Sequence, residues 1–214
     1  MISAAARIRG LYAIADTSYL DDASLLPAVE QALRAGASVV QYRDKSHDAA
    51  ARERQSRGLR QLCDQFHGCF IVNDDAELTR TTGADGLHLG REDASIEAAR
   101  KVLPAGALIG VSCYNDLARA EAVVMAGADY VAFGSFYPSR TKPHAVRAPL
   151  DLLREARARL PVPLVAIGGI TPENGAALIA AGADALAVIS GVFASPDVEA
   201  ATKRYVSLFG SKSS

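Results

Sequence analysis

The sequence predicts an α/β protein, a single-domain (β/α)8 barrel of the TIM type, and three observations carry that reading. One phrase recurs: Arg34-Ala35-Gly36-Ala37-Ser38, Thr82-Gly83-Ala84-Asp85, Ala126-Gly127-Ala128-Asp129 and Ala181-Gly182-Ala183-Asp184. In each, a glycine able to take the left-handed conformation that ends a helix precedes a short apolar run suited to a strand buried on both faces. Ahead of these glycines the periodicity is helical, as in Leu25, Leu26, Val29, Ala32 and Leu33 behind the capping candidates Asp22 and Ser24. Finally, the βα units follow one another with short connections and no break in composition, which fits a closed barrel better than an open doubly wound sheet. A nucleotide-binding sheet is further disfavoured because Asp16-Thr17-Ser18 follows the first strand where Gly-x-Gly-x-x-Gly would stand.

In order, strands are expected at Leu11–Asp16, Ser38–Lys45, Cys69–Asp74, Gly86–Gly90, Leu108–Cys113, Tyr130–Ser135, Pro163–Gly169 and Ala185–Ser190. Residues 1–10 then form an N-terminal extension, 11–209 the barrel, and 210–214 a small, polar, flexible tail. At 214 residues the chain is near the lower limit for eight units. Half the residues are hydrophobic, and a chain of this size buries roughly 70% of its unfolded surface, so no staples are needed. Cys63, Cys69 and Cys113 are odd in number and lack the close spacing of a zinc or redox motif, as expected of reduced thiols in a cytoplasmic protein. The net charge of −1 and the lack of a basic block argue against a nucleic-acid partner. No run approaches the roughly 20 apolar residues that span a bilayer, and the N-terminus is too short in apolar residues for a signal peptide. The expected partners are small molecules; nothing decides between a monomer and a homo-oligomer.

In a barrel of this kind the chemistry sits at the C-terminal ends of the strands. Strand two ends in Gln41-Tyr42-Arg43-Asp44-Lys45, whose alternation puts Gln41, Arg43 and Lys45 on one face. Two cations there suit an anion, and Gln41 suits a heterocycle or phosphate. Strand three ends in Asn73-Asp74, and strand four leads into Arg91-Glu92-Asp93. Asp74 and Asp93 come from neighbouring loops and together suit Mg²⁺, which takes one or two carboxylates and completes its shell with water and phosphate oxygens. The alternatives are a helix cap for Asp74 and a solvated loop position for Asp93. The loop after strand six, from Phe136 to Pro149, is the longest connection, and its Arg140 and Lys142 could close over phosphate groups. Gly168-Gly169 after strand seven and Ile189-Ser190-Gly191 after strand eight suit the phosphate site common in such barrels. His88 lies in a strand with no direction assigned to its side chain. His47, His67 and His144 lack metal-ligand spacing.

Six of these segments resemble, in register, the signatures of the thiamine-phosphate synthase family, over nearly the whole chain from Leu11 to about Phe209. Gln41-Tyr42-Arg43-Asp44-Lys45 is similar to the family's Gln-Leu-Arg-Glu-Lys, Ile71-Val72-Asn73-Asp74 to its Ile-Asn-Asp, and Gly86-Leu87-His88-Leu89-Gly90-Arg91-Glu92-Asp93 to its Gly-Val-His-Leu-Gly-Gln-Glu-Asp. Ile109-Gly110-Val111-Ser112, Pro138-Ser139-Arg140-Thr141-Lys142 and Ala166-Ile167-Gly168-Gly169-Ile170 follow in order. The resemblance implies that Gln41, Arg43, Lys45, Asn73, Ser112 and Lys142 surround an aminopyrimidine diphosphate, with Asp74 and Asp93 on Mg²⁺. It further implies that Ser139 and Thr141 line the thiazole phosphate side, whose phosphate meets Gly169, Ile189 and Ser190. Among these, Arg43, Lys45, Ser112 and Lys142 are expected to act in the reaction itself. This sequence departs from the family at Tyr42, Asp44 and Asp75, the last adding negative charge beside the diphosphate site where Arg is often found.

The implied reaction joins a pyrimidinylmethyl group to a thiazole nitrogen with loss of diphosphate, through a dissociated cation. Three alternatives use the same barrel. A thiazole tautomerase of the same family needs a positioned acid/base, which Ser112-Cys113-Tyr114 does not offer after strand five. A phosphosugar epimerase would keep only the phosphate site, and a non-catalytic regulator would keep the pocket without the chemistry.

Overall fold

The computed structural model describes residues 4–46, 48–90, 93, 95–138 and 146–210. Eight parallel strands close on themselves in sequence order: β1 (Gly10–Asp16), β2 (Val39–Arg43), β3 (Cys69–Asn73), β4 (Gly86–Leu89), β5 (Leu108–Tyr114), β6 (Tyr130–Phe133), β7 (Leu164–Ile167) and β8 (Ala185–Val188). Closure is direct, with Gly10 to Ala13 of β1 paired to Ala185 to Val188 of β8. Around them run α1 (Leu25–Arg34), α2 (Ala49–Gln65), α3 (Ala76–Thr82), α4 (Ile96–Val102), α5 (Leu117–Met125), α6 (Leu150–Arg159), α7 (Gly175–Ala180), the single turn α8 (Ser190–Phe193) and α9 (Val198–Val206).

The recurring glycines act as helix stops. Gly36, Gly83, Gly127 and Gly182 all have positive φ, between 67° and 114°, a region open to glycine without the steric cost a side chain brings. At the opposite ends, Asp48, Asp75, Ser95, Asp116 and Asp197 accept hydrogen bonds from the backbone N–H three residues on. Ser24 stands at the start of α1 but makes no such bond; its hydroxyl is taken by Asp21 at 2.6 Å. Asp22 likewise turns outward, to Arg54 and Gln55 of α2.

Alternation along the strands divides the core in two. Leu11, Val40, Phe70, Leu87, Ile109, Val131 and Leu186 face outward and pack on the helices. Tyr12, Ile14, Val39, Ile71, Leu108, Tyr130 and Val165 fill the barrel. The 3-10 turn Ala4–Arg7 brings Ile8, 1% exposed, into that interior cluster, so the N-terminal segment seals the bottom of the barrel. Gly110 of β5 is required by this packing, because a Cβ there would come within 1.9 Å of the Tyr130 ring.

Several strands end earlier than the sequence suggests. β2 stops at Arg43 because Asp44 accepts from Thr17 Oγ1 at 2.9 Å and from the Ser46 N–H at 2.8 Å, turning the chain. β7 stops at Ile167 because Gly168 and Gly169 take φ of 105° and 62°, outside the strand region. Lys45 and Gly169 therefore sit on loops at the barrel mouth, and Ser190 opens the single turn α8 there.

Candidate active site

Those loops enclose a cavity of about 1080 Å³ at the C-terminal ends of the strands. Gln41, Arg43, Lys45, Asn73, Asp74, Asp93, Ser112, Gly169, Ile189 and Ser190 all line it. Ser139, Arg140, Thr141, Lys142 and His144, like Arg91, Glu92 and His47, lie outside the described residues.

One side of the cavity is charged. Asp74 has a left-handed backbone, φ 63°, and its N–H donates to the His88 carbonyl at 2.9 Å. That turn aims its carboxylate inward, where Lys45 Nζ and Asn73 Nδ2 donate to it. The Asp93 carboxyl meets the Gly90 N–H and lies against Asp74. Burial first, and then contact with Asp74, push the Asp93 carboxyl above the ordinary carboxylate range. Two carboxylates in one volume resist joint ionisation unless a cation joins them. The described residues hold no cluster of three or more His, Cys, Asp or Glu side chains that would form an all-protein cage. The pair fits a hard cation that shares its shell with water and substrate oxygens.

Arg43 is held by Asp16, an interaction that sequence reasoning missed. Asp16 closes β1 on the same face as Tyr12 and Ile14, and its side chain is 3% exposed. One carboxylate oxygen takes the Arg43 guanidinium while the other accepts from the Ser18 N–H at 2.9 Å and Oγ at 2.6 Å. A buried acid at the mouth end of a strand, on the cavity-facing register, is the signal that could have found it.

Asp75 does not reach the ligand side. It caps α3 through Leu78 N at 2.8 Å and pairs with Arg52 of α2 at 2.9 Å, so its added charge has its own counter-ion on the outer layer. Tyr42 and Asp44 also face outward. The Tyr42 hydroxyl bonds Gln55 Oε1 at 2.6 Å and Asp44 at 3.3 Å, and Gln55 donates to Asp22 at 2.8 Å. Tyr42 of β2 and Asp75 at the N-cap of α3 thus each contact α2, and Asp44 meets Tyr42.

The far side of the cavity is backbone. The glycines after β7 are demanded partly by protein packing: a Cβ on Gly168 would meet Ser135 Oγ at 2.0 Å, and one on Gly169 the Pro138 carbonyl at 2.2 Å. Phe136 and Tyr137, after β6, lie on this turn, with Tyr137 N–H donating to the Gly168 carbonyl at 2.9 Å. Tyr205 of α9, also missed, spans the two loops: its hydroxyl donates to the Ile170 carbonyl at 3.0 Å and crowds the space a Cβ on Gly191 would need.

His88 points into the barrel and is 8% exposed. Burial lowers its pKa to about 4, so the ring is neutral near pH 7. Burial similarly raises the thiols of Cys63, Cys69 and Cys113 to about 12, and all three are free. They are inert packing groups.

Residues 11–192 match the thiamine monophosphate synthase family. The chain is 56% identical over 198 residues to the thiamine-phosphate synthase of Nitrosococcus oceani, covering 92% of this chain and 91% of that one. It is 51% identical over 208 residues to the thiamine-phosphate synthase of Acidithiobacillus ferrooxidans, covering 96% of each. Among solved structures, thiamine phosphate pyrophosphorylase from Pyrococcus furiosus superposes with a TM-score of 0.87 at 32% identity, over 96% of this chain and 97% of that one. (S)-3-O-geranylgeranylglyceryl phosphate synthase from Thermoplasma acidophilum shares the barrel alone, with a TM-score of 0.74 at 18% identity over 97% of this chain and 98% of that one.

Proposed function

The chain belongs to the thiamine monophosphate synthase family and is a transferase that makes thiamine phosphate, and we propose that it does so by a dissociative, Mg²⁺-dependent reaction at the charged side of the cavity. The substrates are 4-amino-2-methyl-5-pyrimidinylmethyl diphosphate and 4-methyl-5-(2-phosphoethyl)thiazole or its carboxylated precursor. The C–O bond to diphosphate breaks and its electron pair leaves with the diphosphate. The pyrimidine ring stabilises the methylene cation, and the thiazole nitrogen lone pair forms the new C–N bond. No strong base is needed.

The observation that carries this reading is the pairing of cations with carboxylates at one rim. Arg43, set by Asp16, and Lys45, set by Asp74, are placed to bind a polyanion without reorganising. Asp74 and Asp93 would hold Mg²⁺, whose charge offsets that of the diphosphate. Gln41, Asn73 and Ser112 bind the pyrimidine diphosphate, and Lys142 adds a further cation to it. Gly169, Ile189 and Ser190 hold the phosphate of the thiazole, with Ser139 and Thr141 beside it. Alignment of the two substrates supplies the rest of the rate enhancement. His88 has a hydrogen-bond partner on each ring nitrogen, which disfavours its use as a tautomerase acid or base. Free, buried thiols agree with a reducing cytoplasm, and among the described residues no helix is long and apolar enough to cross a membrane.

The test is diphosphate release from both substrates with and without Mg²⁺, followed together with thiamine phosphate. Equal amounts of both products, lost on chelation and restored by Mg²⁺, are expected. Thiamine phosphate formed at the same rate in a chelator would overturn the metal assignment.

A further inference from the structure

Beneath the cavity, a chain of hydrogen bonds joins two of the proposed substrate-facing side chains through three residues that the reaction above does not use. Gln41 Nε2 donates to the Tyr12 hydroxyl at 3.1 Å, and Tyr12 and Tyr130 hydroxyls are 3.0 Å apart. Tyr130 lies 3.1 Å from His88 Nδ1, and His88 Nε2 lies 2.9 Å from Ser112 Oγ. The links cross the barrel from β2 to β1, β6, β4 and β5 in turn.

When each hydroxyl gives its one hydrogen to the next partner along the chain, direction at one end sets direction throughout. The Gln41 amide nitrogen can only donate, leaving the Tyr12 hydrogen for Tyr130. The Tyr130 hydrogen then falls on His88 Nδ1, which must be the unprotonated nitrogen. His88 Nε2 carries the ring proton and gives it to Ser112 Oγ, whose own hydrogen is left for the cavity. At the other end, Gln41 keeps its carbonyl oxygen for the cavity.

We infer that Tyr12, Tyr130 and His88 form a positioning relay that makes Gln41 present an acceptor and Ser112 a donor, and so selects the amino form of the pyrimidine over its oxo analogue. An aminopyrimidine edge carries an N–H donor beside a ring-nitrogen acceptor. The 4-oxo analogue reverses this, with an oxygen acceptor beside a ring N–H. Turning Gln41 over to suit the analogue would remove its bond to Tyr12 unless every hydroxyl and the His88 tautomer reversed together. The links are also sterically held: Tyr130 is 0% exposed and its ring occupies the space over Gly110. A mismatched buried donor or acceptor costs far more than a lost contact.

This selectivity rests on the proposed placement of the pyrimidine, whereas the tautomer does not, and the test separates the two. In protein labelled with 15N-histidine, His88, assigned by the loss of its signals in His88→Gln, is expected to be neutral with the proton on Nε2. Tyr130→Phe keeps the ring and removes the link. It is expected to lower kcat/KM for the aminopyrimidine diphosphate about tenfold, to shrink the preference for it over the 4-oxo analogue by a similar factor, and to leave KM for the thiazole phosphate within about twofold. Tyr12→Phe should act in the same direction and serves if Tyr130→Phe does not fold. A proton on Nδ1 in the wild-type protein, or an unchanged amino preference in both variants, overturns the relay. A wild-type protein that makes no thiamine phosphate would instead overturn the proposed reaction, with the tautomer still deciding the relay.

Discussion

The two ends of the barrel use the same residue type for opposite purposes. At the bottom, Asp85, Asp129 and Asp184 follow the recurring glycines, and each repeats one arrangement. Each carboxylate accepts the backbone N–H of an earlier strand residue, Phe70 at 2.7 Å, Ile109 at 2.7 Å and Leu164 at 2.8 Å. Each backbone N–H of these aspartates returns a bond to the same residue's carbonyl, at 2.8 Å in all three cases. An arginine from a preceding helix completes the set: Arg60, Arg100 and Arg157 respectively. At the top, Asp74 and Asp93 converge on each other, and Asp16 and Asp74 hold cations toward the cavity. Bottom carboxylates are satisfied within the protein, as is Asp16 at the top; the Asp74 and Asp93 pair is left with capacity for something else.

The contrast is sharpest in a variant that removes a top carboxylate. Asp93→Ala is expected to lower turnover by about 10² to 10³-fold at saturating Mg²⁺, while Tm stays level or rises, because a repelling neighbour of Asp74 has gone. A fall in Tm as large as the bottom variants show would remove the distinction. Asp85→Ala should do the reverse. It strands the Phe70 N–H and takes the shared carboxylate from Arg7 and Arg60, costing about 3 kcal/mol and lowering Tm by roughly 6–12 °C, with kcat and KM within about twofold. Impaired turnover in folded Asp85→Ala would break the comparison from the other side.

A smaller effect is expected at Asp16, which belongs to the top but touches no substrate. Asp16→Asn should lower kcat/KM for the pyrimidine diphosphate about tenfold by loosening Arg43, and leave KM for the thiazole phosphate unchanged. Equal losses for both substrates would make Asp16 a general structural group. The smallest effect is in acid. Burial alone would raise the Asp85 carboxyl, but Arg7, the Phe70 N–H and Arg60 outweigh it and hold the pKa below the ordinary value. A carboxylate depressed in the folded state contributes its stability above the unfolded pKa, about 3.9, and loses it as pH falls through the folded value. Denaturant midpoints should therefore fall less steeply below about pH 4 in Asp85→Asn than in the wild type, and parallel curves would remove Asp85 from that role.

Much of this was legible residue by residue. The Gly-Ala-Asp phrase announces a helix stop and a strand, because a left-handed glycine and an apolar run are local properties. The reason the phrase ends in Asp was not legible. Asp129 serves the N–H of Ile109 and the guanidinium of Arg100, and only the alignment of adjacent strands shows that these three meet. The remaining copy ends in Ser38, whose Oγ lies 2.7 Å from where a Cβ on Gly10 would stand, so Gly10 has no room for a side chain. At the mouth, Gln41 and Arg43 were readable from strand alternation, whereas Lys45 lies past the end of β2. Asp16 was not, since its partner is 27 positions away.

By itself the sequence determined the alternation of strands and helices, the helix stops, the rim residues and the family, because periodicity, backbone preference and motif order are written in neighbouring residues. Tertiary structure alone decided that Asp75 turns away to Arg52, that Tyr42 and Asp44 turn to α2 and the loop after β1, and that His88 turns inward to meet Tyr130. It also brought Tyr12 within hydrogen-bonding distance of Tyr130, 118 positions along the chain. The physical reason is closure: one residue's step along a strand reverses the direction of a side chain, and which residues then meet across the barrel follows from the register of all eight strands together.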